Sequence, residues 1–159
     1  MNPSENHALG LPLEERQRTV AVLSALLADW HILYQNLHAL HWTVRGPHFF
    51  ALHERYEAMY TRLADEIDEL AERILTLGST PPNTLSAYLK LARLPELPTL
   101  THERETAEAA YAQLGLLIAQ IRAVLDQVDS GTEDQLVGYM QHLEKDAWLL
   151  AAWLGRAEG

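Results

Sequence analysis

The placement of the strongest backbone breaks limits most sharply how this chain can fold. Gly46-Pro47, Gly78 with Pro81-Pro82, the Pro95 to Pro98 region and Ser130-Gly131-Thr132 divide it into stretches in which apolar residues recur at helical spacing. From Leu13 to Thr43, Val20, Leu23, Leu27, Trp30, Tyr34, Leu37 and Leu40 mark one face of a first helix, with Pro12 suited to its first turn. A second amphipathic stretch from Phe49 to Leu77 ends at Gly78, a natural left-handed cap. Thr84 to Ala92 reads as a short helix inside a long connection, and the third long helix runs from Thr101 to Val128, favoured by its many alanines. Ser130 with Glu133, or Thr132 with Gln135, fits a capping box that opens a fourth helix reaching Leu154. Four long helices, one long crossover and no strand signal predict an all-α four-helix bundle. One domain is expected over residues 13–155, between tails at 1–12 and 156–159, with no internal repeat or low-complexity tract.

The segment from His41 to Glu72 concentrates side chains able to hold a metal ion: His41, His53, Glu57, Asp68 and Glu72. His53 and Glu57 are four residues apart, as are Asp68 and Glu72, so each pair stacks on one helix face. The fifteen residues from His53 to Asp68 separate the pairs by roughly 22 Å on a straight helix, whereas ligands to one cation lie within about 2.0–2.6 Å of it. One chain therefore cannot close a site on all five. Two such helices packed antiparallel about a two-fold axis would bring His53 and Glu57 of one beside the partner subunit's Asp68 and Glu72, twice over. Taken singly, each of these residues is more often a solvated surface group or a satisfied polar group in the core than a metal ligand. One known plan for a di-iron centre inside a single helical bundle, a Glu-x-x-His motif on each of two helices, has no match anywhere in the chain.

Composition narrows the chemistry. The chain has 159 residues and no cysteine, which excludes disulfides and thiolate metal sites and leaves imidazole and carboxylate as donors. Eight histidines supply the first. A formal charge of −10 argues against ordinary DNA binding, which rests on Lys and Arg neutralising phosphates. Residues 1 to 15 contain no Lys or Arg and carry Glu5, Glu14 and Glu15. No run of apolar residues is long enough to span a membrane, and MNPSENHALGLPLEERQR lacks the basic start and apolar stretch of a signal peptide. A soluble cytoplasmic protein is expected.

The motifs in this segment closely resemble those of the Dps family, the mini-ferritins or DNA-binding proteins from starved cells. They are His41-Trp42 closing the first helix, the turn Gly46-Pro47-His48-Phe49, Leu52-His53-Glu54 opening the second, and Asp68-Glu69-Leu70-Ala71-Glu72 further along it. The resemblance extends over nearly the whole chain, including the short helix in the connection between the second and third long helices and Lys145-Asp146-Ala147-Trp148 near the end. It implies a ferritin-like bundle, a homo-oligomer forming a hollow dodecamer, and a ferroxidase site shared across a two-fold axis. It also implies the ligands: His41, His53 and Glu57 from one subunit with the partner subunit's Asp68 and Glu72. Two irons per shared site, oxidation by hydrogen peroxide or oxygen, storage as ferric mineral and protection against oxidative stress follow from the same resemblance.

The family lines its three-fold pores with acid, which places Asp126, Asp129, Glu133 and Asp134 as pore candidates; as a plain solvated turn they need no function. Trp42 and Trp148 are expected either near the site, where they could intercept radicals, or as core aromatics. His31, His38, His48, His102 and His142 show no partner pattern, so surface or satisfied polar roles are expected. Two competing functions stand beside iron oxidation. One is a nucleoid-associated protein that compacts DNA, which the missing basic arm and the acidic chain oppose. The other is a helical scaffold holding zinc at its dimer interface, since zinc accepts the same donors.

Overall fold

The computed structural model describes residues 8–156. The expected tails fall partly outside them: residues 1–7, Glu5 among these, and 157–159 lie beyond the described residues. Five α-helices follow in order: α1 Leu13–Thr43, α2 Phe49–Thr76, α3 Leu85–Leu91, α4 Glu103–Arg122 and α5 Ser130–Trp153. No β-strand forms among the described residues; a single bridge pairs Arg45 with His102.

Each long helix buries one stripe. On α2 the buried positions are Leu52, Tyr56, Met59, Leu63, Glu66, Leu70 and Ile74, a run of three- and four-residue steps that keeps one face toward the bundle axis. It meets Leu23, Leu27, Leu33, Leu37 and Leu40 of α1, Ala110, Leu114, Leu117 and Ile121 of α4, and Leu136, Leu143 and Leu150 of α5. α1 pairs chiefly with α2 and α4 with α5, while α3 lies against α1. The short turn after α1 makes the first pair antiparallel, and the crossover carrying α3 spans the bundle.

The crossover is pinned by polar residues on α1. Asp29 is fully buried and accepts from the Arg93 and Leu94 amides at 2.6 and 2.9 Å and from the Arg93 guanidinium at 2.7 and 3.0 Å. Asn36 donates to the Pro95 carbonyl at 3.0 Å and to Gln113 at 3.1 Å, and accepts from the Leu97 amide at 3.0 Å. A proline-rich segment cannot satisfy itself in a helix, so α1 supplies the partners that keep its backbone groups paired under burial.

Gly78 ends α2 at φ 84°, with its amide on the Leu75 carbonyl and the Ser79 amide on that of Ile74, the Schellman arrangement its position predicts. Two boundaries differ from the sequence reading. α4 starts at Glu103, with His102 as cap accepting from the Arg104 amide at 3.2 Å, and it stops at Arg122, followed by a 3-10 turn over Leu125–Gln127. Neither expected capping box opens α5: Ser130 is already helical, and Asp129 is the cap, taking the Gly131 and Thr132 amides at 3.0 and 3.2 Å. A carboxylate with two acceptor oxygens serves both amides and the Thr132 hydroxyl, at 2.6 Å, where one hydroxyl could serve only one.

Candidate metal centre

The turn between α1 and α2 sets two helix ends face to face. Gly46 adopts φ 143°, open to glycine and rare for other residues. A Cβ there would come within 2.5 Å of the Glu103 carboxylate. That carboxylate instead accepts the His48 amide at 2.8 Å and His48 Nδ1 at 3.1 Å. The hydrogen bond from the His48 amide, ahead of the imidazole's own, holds the Glu103 carboxyl below its ordinary range. Thr43 donates to the Leu100 carbonyl at 2.6 Å and the Arg45 amide to that of Thr101 at 2.8 Å. The Gly-Pro-His-Phe motif is thus a clamp joining the end of α1 to the start of α4.

The clamp brings His41, in the last turn of α1, against His53 in the second turn of α2. Their rings stack with centroids 3.6 Å apart and planes 19° from parallel. Each imidazole bonds to the other's backbone: His41 Nδ1 to the His53 carbonyl at 2.9 Å, and His53 Nδ1 to the His41 carbonyl at 2.8 Å. A carbonyl can only accept, so both Nδ1 atoms carry the hydrogen and both Nε2 atoms are left as donors to a metal. Glu57, one turn beyond His53, completes the group, and ligand atoms of all three lie within 4.8 Å of one another. His41 is buried, His53 half-buried and Glu57 exposed, so the group opens outward from the bundle.

Asp68 and Glu72 do not join them in one chain. Both are exposed on α2, far along it from His53. Among the described residues, His41, His53 and Glu57 form the metal-capable group, and the two carboxylates stand apart as a stacked pair facing solvent.

Aromatic rings enclose the imidazole side. Tyr60 meets His41 edge-on at 5.3 Å and stacks on His38 at 3.7 Å, while Phe49 lies 4.8 Å from His53. Desolvation pushes the Tyr60 phenol up, and the charges of Glu57 and Tyr34 push the same way. Both ring nitrogens of His38 are buried without a hydrogen-bond partner among the described residues; desolvation, then the nearby His41, lowers its pKa. The sequence reading gave Tyr60 no role and expected His38 to be a surface or satisfied polar residue, which its buried, unpartnered nitrogens overturn; Tyr60 follows Glu57 by three residues and His38 precedes His41 by three, spacings that share a helix face.

The sequence matches the family described as Ferritin-like domain over residues 20–159. A DNA protection during starvation protein of Porphyromonas gingivalis is 40% identical, covering 91% of this chain and 93% of the relative, and a second such protein, of Bacillus anthracis, is 35% identical over 88% and 99%. The crystal structure of a Dps protein from Vibrio cholerae O1, described as a member of a broad superfamily of ferritin-like diiron-carboxylate proteins, superposes with TM-score 0.90 at 35% identity, covering 97% of this chain and 99% of that one. The chain belongs to the Dps family. A further Dps structure, from Listeria innocua soaked with zinc, superposes with TM-score 0.84 at 30% identity, over 87% and 97% of the two chains.

In this Dps-family chain the other candidate residues are distributed unevenly. Asp126, Glu133 and Asp134 are exposed around the α4–α5 turn. Asp129 is buried, and besides capping α5 it pairs with Arg73 at 2.7 Å. Burial acts to raise its pKa, but the hydrogen bonds of Thr132 and Gly131 and the Arg73 charge outweigh it and hold the carboxyl below its ordinary range. Both of its oxygens are occupied within the fold, which leaves the acidic exposure of this turn to the other three. Trp42 and Trp148 are not core residues: they are 64% and 50% exposed, and the buried core tryptophan is Trp30. Trp42 reaches the aromatic group through His38, at 5.1 Å.

The remaining histidines among the described residues have local partners. His31 stacks on Tyr88 at 3.8 Å, His48 holds Glu103, His102 caps α4, and His142 Nδ1 lies 3.1 Å from Glu66. Glu66 occupies a core position of α2 and also takes the Trp30 indole N–H at 2.8 Å.

Proposed function

We propose that this chain oxidises Fe(II), with hydrogen peroxide as preferred oxidant, at sites shared between two-fold related copies, and stores the ferric product as mineral inside a closed dodecameric shell. The reciprocal locking of His41 and His53 carries the reading: it commits both Nδ1 atoms to backbone carbonyls, leaves both Nε2 atoms available, and holds the two imidazoles in one group with the Glu57 carboxylate. Pre-set donors lower the ordering cost of binding. His41 with the partner subunit's Asp68 and Glu72 takes the first Fe(II), and His53 with Glu57 supports the second. Hard carboxylates favour Fe(III) over Fe(II) by charge, which assists electron loss, and few protein ligands leave room for the oxidant. Two irons give one electron each, so peroxide is reduced to water without releasing a radical.

The relatives' names speak of DNA protection, and taking Fe(II) away from peroxide protects DNA without touching it. Direct DNA compaction is opposed by the −10 charge and by the absence of Lys and Arg in residues 1 to 15. Zinc is a substitute ion for the same donors and serves as a competitor in the assay. No helix among the described residues is long and apolar enough to cross a membrane, which accords with a cytoplasmic location.

Anaerobic loading with Fe(II) followed by stopped-flow absorbance after peroxide addition tests the proposal. Wild-type protein forms ferric species faster than protein-free buffer and saturates at two irons per site. His41→Ala and Asp68→Ala each slow that phase by at least the roughly 10- to 100-fold that loss of a mere outer-shell partner of a metal ligand costs, with the shell intact by sedimentation. Wild-type rates in both variants would sink the ligand assignment.

A further inference from the structure

The His41 carbonyl is free to hold His53 because α1 is stopped from winding on. In a continuing helix the Arg45 amide would donate to the His41 carbonyl, four residues back. Instead the Arg45 amide donates to the Thr101 carbonyl at 2.8 Å, and the Glu103 amide returns to the Arg45 carbonyl at 3.2 Å. The His41 carbonyl left over takes Nδ1 of His53 at 2.8 Å, and this bond fixes which nitrogen of His53 carries the hydrogen. The Glu103 side chain holds the same turn. Its carboxylate receives the His48 amide at 2.8 Å and His48 Nδ1 at 3.1 Å, and it fills the space a Cβ on Gly46 would need. The His48 ring also meets Trp153 of α5 edge-on at 5.6 Å, so α4 and α5 together grip the turn. Among the described residues Glu103 itself stands outside the metal-capable group.

We propose that Glu103 is a positioning residue for the metal centre: through the Gly46 turn it keeps the Arg45 amide on Thr101, and so sets the His53 tautomer that presents Nε2 to a metal. This rests on the reading of His41, His53 and Glu57 as metal ligands above. Without the Glu103 carboxylate the His48 amide loses its acceptor and the turn is released. The Arg45 amide then returns to the His41 carbonyl and displaces His53 Nδ1. His53 loses the partner that orients its ring, and its two nitrogens compete for the metal. His41 is insulated from this change, because its Nδ1 bonds to the His53 carbonyl, which lies inside α2 and does not depend on the turn. One imidazole of the centre is therefore set by a neighbouring helix and the other by the far end of the crossover. An amide in place of the carboxylate keeps an acceptor oxygen at the same reach, so glutamine can do the work of Glu103.

The test titrates the assembled protein anaerobically with Co(II), which takes the same imidazole and carboxylate donors and whose visible absorption reports its ligand geometry; Fe(II) oxidation is read in parallel. Wild-type protein shows a Co(II) band that weakens and shifts in His53→Ala, which assigns it to this centre. Glu103→Ala weakens Co(II) binding about 10-fold, the low end of what an outer-shell partner of a ligand contributes, and moves the band toward that of His53→Ala. Glu103→Gln restores both. Asp129→Asn loosens the opposite end of the bundle, beside Thr19 of α1, and leaves affinity and band as in wild type. Wild-type values in Glu103→Ala, or in Glu103→Asp where the alanine variant fails to assemble, overturn the positioning role, and so does an equal loss in Asp129→Asn. No Co(II) band in wild-type protein that oxidises Fe(II) normally overturns the positioning role alone. The expected Co(II) series with ferric formation no faster than in buffer supports the positioning role and removes the ferroxidase reading.

Discussion

At the scale of single residues, the same side-chain types do opposite work according to where the backbone puts them. His41 and His53 spend one nitrogen on each other's carbonyl and leave the second available to the proposed metal, whereas His102 spends its Nδ1 capping a helix. Asp129 and Asp126 are three residues apart, yet one is a buried cap and the other an exposed acid. Because the folded state holds the Asp129 carboxyl below its ordinary range, ionised Asp129 contributes stability above its unfolded pKa, and that contribution is lost as pH falls through the folded value. Asp129→Asn keeps a capping oxygen but loses the charge paired with Arg73, and is expected to cost about 1–3 kcal/mol at neutral pH. Urea unfolding from neutral pH down to pH 3 checks this: the gap between wild type and variant should close as the pH falls, and a gap independent of pH would show that the charge contributes nothing.

At the scale of elements, the buried stripes are interrupted by acids that the apolar pattern does not announce. Glu66 holds a core position of α2 and ties Trp30 of α1 to His142 of α5. Asp146 is buried on α5 between Arg55 and Arg62 of α2, which gives the Lys-Asp-Ala-Trp motif a structural reason: its aspartate joins the two helices. Asp29 does the same for the crossover, receiving two amides and a guanidinium. Asp29→Ala leaves those donors without an acceptor and is expected to destabilise the protein by about 3 kcal/mol. Hydrogen exchange locates the effect: the Arg93 and Leu94 amides should lose protection well before the core of α2, and uniform loss across all helices would argue against a local pin.

At the scale of the whole molecule, one bundle holds only part of the proposed centre. His41, His53 and Glu57 converge, while Asp68 and Glu72 face solvent on the same helix, a division that a two-fold neighbour would repair at two places at once. Complementation tests the sharing directly. A His41→Ala/His53→Ala chain and an Asp68→Ala/Glu72→Ala chain are each expected to be inactive, and mixed dimers of the two should recover ferroxidation at one of their two sites. Verified mixed dimers with no recovery would place the missing ligands elsewhere. The chain's formal charge of −10 also suits the proposed shell and its iron cargo, since a closed acidic surface concentrates positive ions.

Read alone, the sequence determined the helices, the order of the bundle and the identity of the ligand-type residues, because helical period and proline or glycine breaks act over one or two turns. The start of α1, the left-handed cap at Gly78 and the short crossover helix are legible for that reason. Asp129 as cap in place of Ser130 or Thr132 was not, since three polar residues within four positions can each cap and only the packed Arg73 and Thr132 select among them. The reciprocal lock of His41 and His53 and the enclosure of Tyr60 by His38 belong to the tertiary structure alone. They depend on how closely α1 and α2 approach after the Gly46 turn, and that distance is decided by long-range contacts with Leu100, Thr101 and Glu103 at the far end of the crossover.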